Sequence, residues 1–563
     1  MPDSAVYATV ENLFSASVYP SAAQHSELSE CLRTNSVPKD LSYIRSVIAA
    51  SRLELARYNT NIRTISAALE GAISERDAFQ LHVERCHSLL APIRALPREI
   101  LLHIFTFCSE PWQFRTDFAL WSQITPRDHM EQLARPDLLR LSRVCSSWRT
   151  AILGTPSLWA PIQVNLSEWL LPPIARRLTY LITAAVKRAG ACPLKLKLRT
   201  TGQAYEVLSL ELLAHCSARW QSLNLWINFG AFRHLSFTRG NLALLEKLEI
   251  HGDLLHELDI FEDAPRLVEV TLRRSGSSQP PLLPWHQLHT LNYENGNAVE
   301  LGAFMSLIRQ CPNLRAVTFT ALDVSGLPNP VILEPLESKL ESLSIIFRNT
   351  RNSSAVQAIR VLSAMLNSFT LPRAKQLSFR MNSLMPLVWA YPIFIAFLSR
   401  SSCSQTVTSL ALHGIKFPRH ELVECMAALP QLETLSLSDY PPIPDHPDFQ
   451  LFDKFTFLVT DELLKQLTWT PDAAACLVPR LRVVHLTTLF RFSSQMMLKF
   501  AASRAEAQAG RIEGLGKVRR FELRLGWHRT PEQPPPVFDS ALISELDAMQ
   551  RRGDIWYSLT ASD

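Results

Sequence analysis

His256 is followed by Glu257, as at the start of a zinc-binding helix, but position 260 is Ile260, so the second histidine of the metal pair is missing. The stretch GRIEGLGKV at 510–518 sets a lysine after a glycine. Its glycine spacing is wrong for a phosphate loop, and Val518 stands where a Ser or Thr hydroxyl would hold magnesium. No G-x-G-x-x-G turn and no G-x-S-x-G elbow occurs. The ten cysteines, at 31, 86, 108, 145, 192, 216, 311, 403, 425 and 476, form no C-x-x-C pair, and the sixteen histidines are scattered. Residue types that do chemistry are present without the spacing that chemistry requires. The expectation is a protein that is not an enzyme, has no cofactor and no metal site, and acts through its surfaces.

The elements that carry those surfaces must be numerous. A chain of 563 residues exceeds one ordinary core and implies several domains or a repeat array. Hydrophobic residues make up 47% and charged residues 19%, a globular balance. A net charge of +5 over this length is mild, and nucleic acid, which demands clustered Lys and Arg, is not an expected partner. Dispersed cysteines read as reduced thiols of an intracellular protein, in cytoplasm and/or nucleus. The first twenty residues lack the basic and apolar regions of a signal peptide. The most apolar stretch, Leu384 to Leu398, contains Pro386 and Pro392 and is shorter than the roughly 20 residues of a membrane span, so it reads as core.

Residues 1–40, rich in Ser and Ala, read as a flexible leader. Residues 41–90 read as one long helix. Leu41, Ile44, Ile48, Leu55, Tyr58, Ile62, Ile65, Leu69, Ala72, Phe79, Val83, Cys86 and Leu90 recur at alternating spacings of three and four, interrupted only by Ser51 and Arg76. That spacing keeps one apolar seam facing a partner. Two readings stand side by side: a coiled coil that makes a homodimer, or a helix laid against its own domain.

Residues 91–162 read PIRALPREILLHIFTFC, an intervening stretch, then DLLRLSRVCSSWRTAILGTPSLWAPI. Leu96 and Pro97 precede a helix, where a proline costs no hydrogen bond. Ile100, Leu101, Ile104 and Phe105 share one face of that helix. Leu138, Leu141, Val144, Cys145 and Trp148 predict a second helix, with Gly154 as a left-handed cap. Leu158 and Trp159 follow in a short third turn. Such short helices bury little surface alone and call for a partner. The segment resembles an F-box, whose pattern is an L-P-x-E-I-L-x-x-I-F helix, a V-C-x-x-W-R helix and a turn ending in Leu-Trp. The resemblance implies binding to the Skp-type adaptor of a cullin–RING ubiquitin ligase. It implies adaptor contacts at Leu96, Pro97, Ile100, Leu101, Ile104, Phe105, Leu141, Val144, Cys145, Trp148, Leu158 and Trp159, some of which must instead build the three-helix core. The connection from Cys108 to Asp137, with Trp112, Phe114, Phe118 and Trp121, is longer than the family's usual one. It reads either as a surface loop or as an insert.

From residue 163 to 563 a phrase L-x-x-L-x-L recurs, starting at 193, 220, 245, 267, 288, 314, 340, 374, 407, 432, 481 and 518. The first ten starts are 21 to 34 residues apart. The phrase resembles a degenerate leucine-rich repeat, with one strand and one helix or turn per unit, each needing its neighbours to complete a core. The expected fold class is a long helix and a three-helix F-box (α), followed by an irregular α/β solenoid. After Pro534, Pro535 and Pro536, a helix over 537–549 and a strand over 554–559 would form a C-terminal cap. The outward strand residues would line a concave, target-binding face, with Arg199, Trp226, His251, Arg273, Arg380, His413, His485 and Arg524 as candidates. The implied function is that of an SCF-type substrate receptor for an unidentified target. The alternative is a non-ligase leucine-rich scaffold, dimeric through residues 41–90.

Overall fold

The computed structural model describes residues 29–37, 40–108, 112–114, 137–165, 172–200, 207–226, 232–252, 259–274, 281–295, 301–321, 332–348, 355–382, 387–439, 458–470, 476–487, 492–508, 520–528 and 539–562. Contacts divide the chain into two units, residues 1–103 and 104–563.

In the first unit the 3-4 spacing produces a single helix, α1, Leu41–Leu89, of 49 residues. Asp40 caps it, its carboxylate accepting from the backbone N–H groups of Ser42 and Tyr43 at 2.9 and 3.0 Å. Hydrogen bonds from the Ser42 hydroxyl and the Tyr43 amide hold that carboxyl below its ordinary pKa. None of the α1 side chains is buried, and the seam residues Leu41, Ile48, Leu55, Ile62 and Leu69 are all exposed. Residues 29–34, within the expected leader, are helical. Residues 1–28 lie outside the described residues. Helix α2, Arg98–Cys108, follows Pro97, whose carbonyl accepts from the Leu101 N–H at 3.1 Å.

The second unit holds two short helices, α3 (Asp137–Leu141) and α4 (Ser146–Leu153), and a fifteen-stranded parallel sheet whose spatial order follows chain order. Its strands are β1 (Trp112–Phe114), β2 (Pro161–Asn165), β3 (Leu194–Arg199), β4 (Trp220–Trp226), β5 (Lys247–His251), β6 (Glu269–Arg274), β7 (Thr290–Asn295) and β8 (Ala316–Ala321). Then come β9 (Ser342–Arg348), β10 (Gln376–Asn382), β11 (Ser409–His413), β12 (Thr434–Ser438), β13 (Val483–Thr487), β14 (Phe521–His528) and β15 (Ile555–Ser562). Strands β3 to β14 fall one on each of the twelve leucine phrases, and β15 falls where the final strand was expected. β1 and β2 carry no such phrase.

Alternation sorts each strand into two faces. In β9, Leu343, Ile345 and Phe347 are buried while Ser342, Ser344 and Ile346 are only half-covered. Helices cover the buried face. On α5 (Leu301–Gln310), Phe304 packs against Tyr293 of β7 and Phe319 of β8, with ring centroids 5.4 and 4.8 Å apart. On α6 (Tyr391–Ser401), Phe394 meets Phe379 of β10 edge-on at 6.1 Å. On α7 (Ser494–Gln508), Phe500 meets Phe521 of β14 at 5.6 Å. The described part of the apolar stretch 384–398 forms two elements. A two-residue strand, Leu387–Val388, precedes α6, and Pro392 sits in the first turn of that helix, with Phe394, Phe397 and Leu398 buried. Among the described residues no helix is long and apolar enough to cross a membrane.

Two positions show how tightly neighbouring segments of the second unit pack. Gly414, just past β11, has φ +65°, and a Cβ there would lie 2.2 Å from the Met381 carbonyl oxygen, so only glycine fits. Arg504 of α7 is fully buried, with no carboxylate partner among the described residues; it donates to the carbonyls of Leu467, Val478 and Leu477 at 2.7, 2.9 and 3.0 Å. Burial pushes its pKa down to about 10. The last helix, α8 (Ser540–Arg552), ends on Gly553 in the left-handed conformation, and β15 follows.

Candidate functional site

Two surfaces are candidates, one on the 91–162 segment and one on the open face of the sheet. The spacing of Leu138, Leu141, Val144, Cys145 and Trp148 predicts one continuous helix, and the structure corrects this. α3 stops at Leu141, where the Ser142 hydroxyl donates to the Leu139 carbonyl at 2.8 Å and competes with continued helix. Cys145 is extended (φ −158°) and caps α4, its Sγ accepting from the Trp148 N–H at 3.5 Å. Gly154 does end α4, but at φ −83° rather than left-handed, because its N–H bonds back to the Thr150 carbonyl at 3.0 Å and the chain continues as a short 3-10 turn, Pro156–Trp159.

Burial divides the twelve residues of the resemblance. Leu101, Phe105, Leu158 and Trp159 are buried. Trp159 anchors the core. Its ring N–H donates to the Ile152 carbonyl at 2.9 Å, and the Arg188 guanidinium lies over the ring, 4.6 Å from its centroid. Phe105 meets the Trp148 ring edge-on at 4.8 Å. Ile104, Leu141 and Trp148 are half-covered. Leu96, Pro97, Ile100, Val144 and Cys145 are exposed; Ile100 keeps 49% and Val144 61% of its surface in solvent. Phe107, 80% exposed, was not among the expected residues. It continues the Ile100, Ile104 stripe of α2 at the next 3-4 step, which was the signal available. Of the long 108–137 connection, only β1 is described in part; Phe118 and Trp121 lie outside the described residues.

The eight target-face candidates all stand on the side of the sheet away from the helices. Registry brings four of them into one row: Arg199 beside Trp226, Trp226 beside His251, and His251 beside Arg273. The Arg199 guanidinium lies 4.9 Å from the Trp226 ring centroid, and the Trp226 and His251 rings stack at 4.0 Å. The His251 Nε2–H donates to Glu249 at 2.9 Å, which lowers the Glu249 pKa; the charges of Arg273 and Lys197 add to this and partial burial opposes it. His251 is therefore nearly covered despite its outward position. The row continues through Arg273, 3.5 Å from Glu294, to Arg348, 3.4 Å from the same carboxylate. Glu294, one residue past its phrase as Arg199 and Arg273 are, and Arg348, three residues past its own, were not among the expected residues. Arg380 registers with His413, and His485 with Arg524. His413 Nε2 is 2.8 Å from the Ser436 hydroxyl. Arg524 pairs with Glu522 at 2.5 Å, and its guanidinium lies over the Trp556 ring at 5.5 Å.

Residues 93–162 match the F-box-like family. No curated protein matches the chain. The chain therefore carries an F-box-like domain at 93–162, an adaptor module and not a catalytic one, of the kind that binds Skp-type adaptors.

Proposed function

We propose that this chain is the substrate-recognition subunit of an SCF-type ubiquitin ligase. The observation that carries the reading is the F-box-like match over a segment that leaves apolar side chains uncovered. Ile100, Val144, Leu96, Pro97 and Cys145, with the half-covered Ile104, Leu141 and Trp148, contact a Skp-type adaptor; Leu101, Phe105, Leu158 and Trp159 are buried and leave that role to the others. The strands β3 to β14 and the helices between them form a degenerate leucine-rich array, supported by the coincidence of each strand with a leucine phrase. Its open face, with Arg199, Trp226, His251, Arg273, Arg380, His413, His485 and Arg524, takes the target. The protein breaks no bond itself; it raises the target's effective concentration at the ligase.

The test is co-purification of the full chain with a Skp-type adaptor, against the variants Ile100→Asp and Val144→Asp. Both residues are exposed, so neither change opens a core cavity. Capture by the intact chain and loss in both variants, with unchanged circular dichroism, is the expected result. A folded intact chain that captures no adaptor overturns the ligase reading.

A second reading concerns self-association. The uncovered seam of α1 favours a second copy of this chain as its partner, in which case the protein is a dimeric receptor or, without the adaptor, a dimeric leucine-rich scaffold.

A further inference from the structure

Several arginines on the open face of the sheet have partners, and Arg380 has none among the described residues. Arg273 lies between Glu249 and Glu294, at 3.2 and 3.5 Å. Arg348 reaches Glu294, Arg524 reaches Glu522, and Arg199 rests on Trp226. Arg380, on β10 near the middle of the strand order, has no hydrogen bond or ion pair among the described residues. It is half-buried, and its Nε is covered with no partner. A guanidinium N–H taken from water without an acceptor is unfavourable. Its charged neighbour is another cation, Arg348, one strand away on β9; burial and that charge both act against the protonated form. In register beside it stand Ile346 and His413, neither of them a carboxylate.

The surplus extends beyond one residue. At the described outward positions of β2 to β11, seven Lys and Arg residues face three carboxylates, Glu249, Glu269 and Glu294. All three carboxylates lie on β5 to β7, so none is left to meet Arg380. A planar guanidinium with free N–H groups fits a carboxylate through paired hydrogen bonds. Carboxylates set among the cations also break up the continuous cationic track that a nucleic-acid backbone needs.

We propose that the open face around Arg380 receives a carboxylate from an acidic segment of the target protein, with Arg380 as the pairing residue and Arg348 at its side. This rests on the reading of that face as the target-binding surface. Pairing supplies the acceptor that Arg380 lacks and cancels its repulsion with Arg348. Association should then weaken steeply with added salt.

The probe is a fluorescein-labelled octaglutamate peptide, titrated against the full chain at low ionic strength. Arg380→Gln is the test variant. Arg239→Gln is the control; Arg239 pairs with Asp259 at 2.6 Å outside the strands. The intact chain and the control should bind alike, and Arg380→Gln should weaken binding roughly tenfold to a hundredfold, the usual value of a charged hydrogen bond. Arg380→Gln should also melt no lower than the intact chain, since it removes an uncompensated charge. The proposal is overturned by equal binding in Arg380→Gln, by no binding to a folded intact chain, by a lower melting temperature in the variant, or by tighter binding of an oligothymidylate of equal charge. Adaptor capture measured on the same preparation separates the two readings. Capture without peptide binding removes only this inference, and peptide binding without capture removes only the ligase role.

Discussion

His485 lies on β13, two strands from the edge of the sheet, and its Nε2 is covered without a hydrogen-bond partner. Burial, and then the charge of Arg524, lower its pKa below 6.5, while Glu522, 4.0 Å away, opposes them. The fold therefore favours the neutral ring. Below pH 6.5 the unfolded chain takes up a proton that the folded chain refuses. The stability His485 contributes is thus present above pH 6.5 and lost as pH falls through 6.5 to the lowered folded value. The urea midpoint of the intact chain should fall more between pH 7.5 and 5.5 than that of His485→Gln; equal falls would show that the ring titrates normally. At this scale the sequence was informative about side but not about pairing. Alternation placed Arg199, Trp226, Arg380 and His485 outward, because period two follows from strand geometry. It could not show that Arg380 has no counter-ion among the described residues while Arg273 has two, because pairing depends on what the neighbouring strands, some twenty to thirty residues away in sequence, set beside each residue.

Elements were legible wherever a long period or a repeated phrase marked them. The 41–90 seam became α1 almost to the residue, since 3-4 apolar spacing sustained over 49 residues with only Ser51 and Arg76 interrupting it fits a helix and not a strand. The short F-box helices were less so. Leu138 to Trp148 kept helical spacing across a real break because Ser142 and Cys145 cap as readily as they continue, and capping is decided by a few local hydrogen bonds. β2 was missed for the converse reason: Ile162 and Val164 alternate correctly, but only over five residues and without a leucine phrase. The exposed seam of α1 leads to a prediction at this scale. Leu41, Ile48, Leu55, Ile62 and Leu69 run along a helix roughly 73 Å long at 1.5 Å per residue. Arg76, the one charge in the seam, would set the register of two copies and disfavour larger bundles, as a polar seam residue does. Sedimentation equilibrium should give a dimer for the intact chain and a monomer for Ile62→Glu, Leu69→Glu, with far-ultraviolet circular dichroism falling as the lone helix loses its partner. A monomeric intact chain at micromolar concentration would remove the homodimer.

Across the sheet, the order of strands is the order of the chain, and each strand pairs only with the strands before and after it. That topology was implied by the repeated phrase, because a unit that cannot bury its own ends must stack on its neighbours in sequence. The phrase did not reveal that the sheet begins before the repeats, at β1 and β2. Pairing restricted to neighbours has a mechanical consequence. Stability should be a sum of local terms, and damage at one edge should stay near that edge. β15 pairs with β14 alone, along eight residues, and α8 covers its start; the Gln550 side chain there accepts from the Tyr557 N–H at 2.7 Å. Removing residues 539–563 makes β14 the edge strand. Hydrogen exchange followed by mass spectrometry should then show faster exchange in β14 and, less so, in β13, with β3 to β8 unchanged. If β3 to β8 also lost protection, the sheet would be one cooperative body, and a target held near Arg380 would act on the whole of it rather than on the few strands it touches.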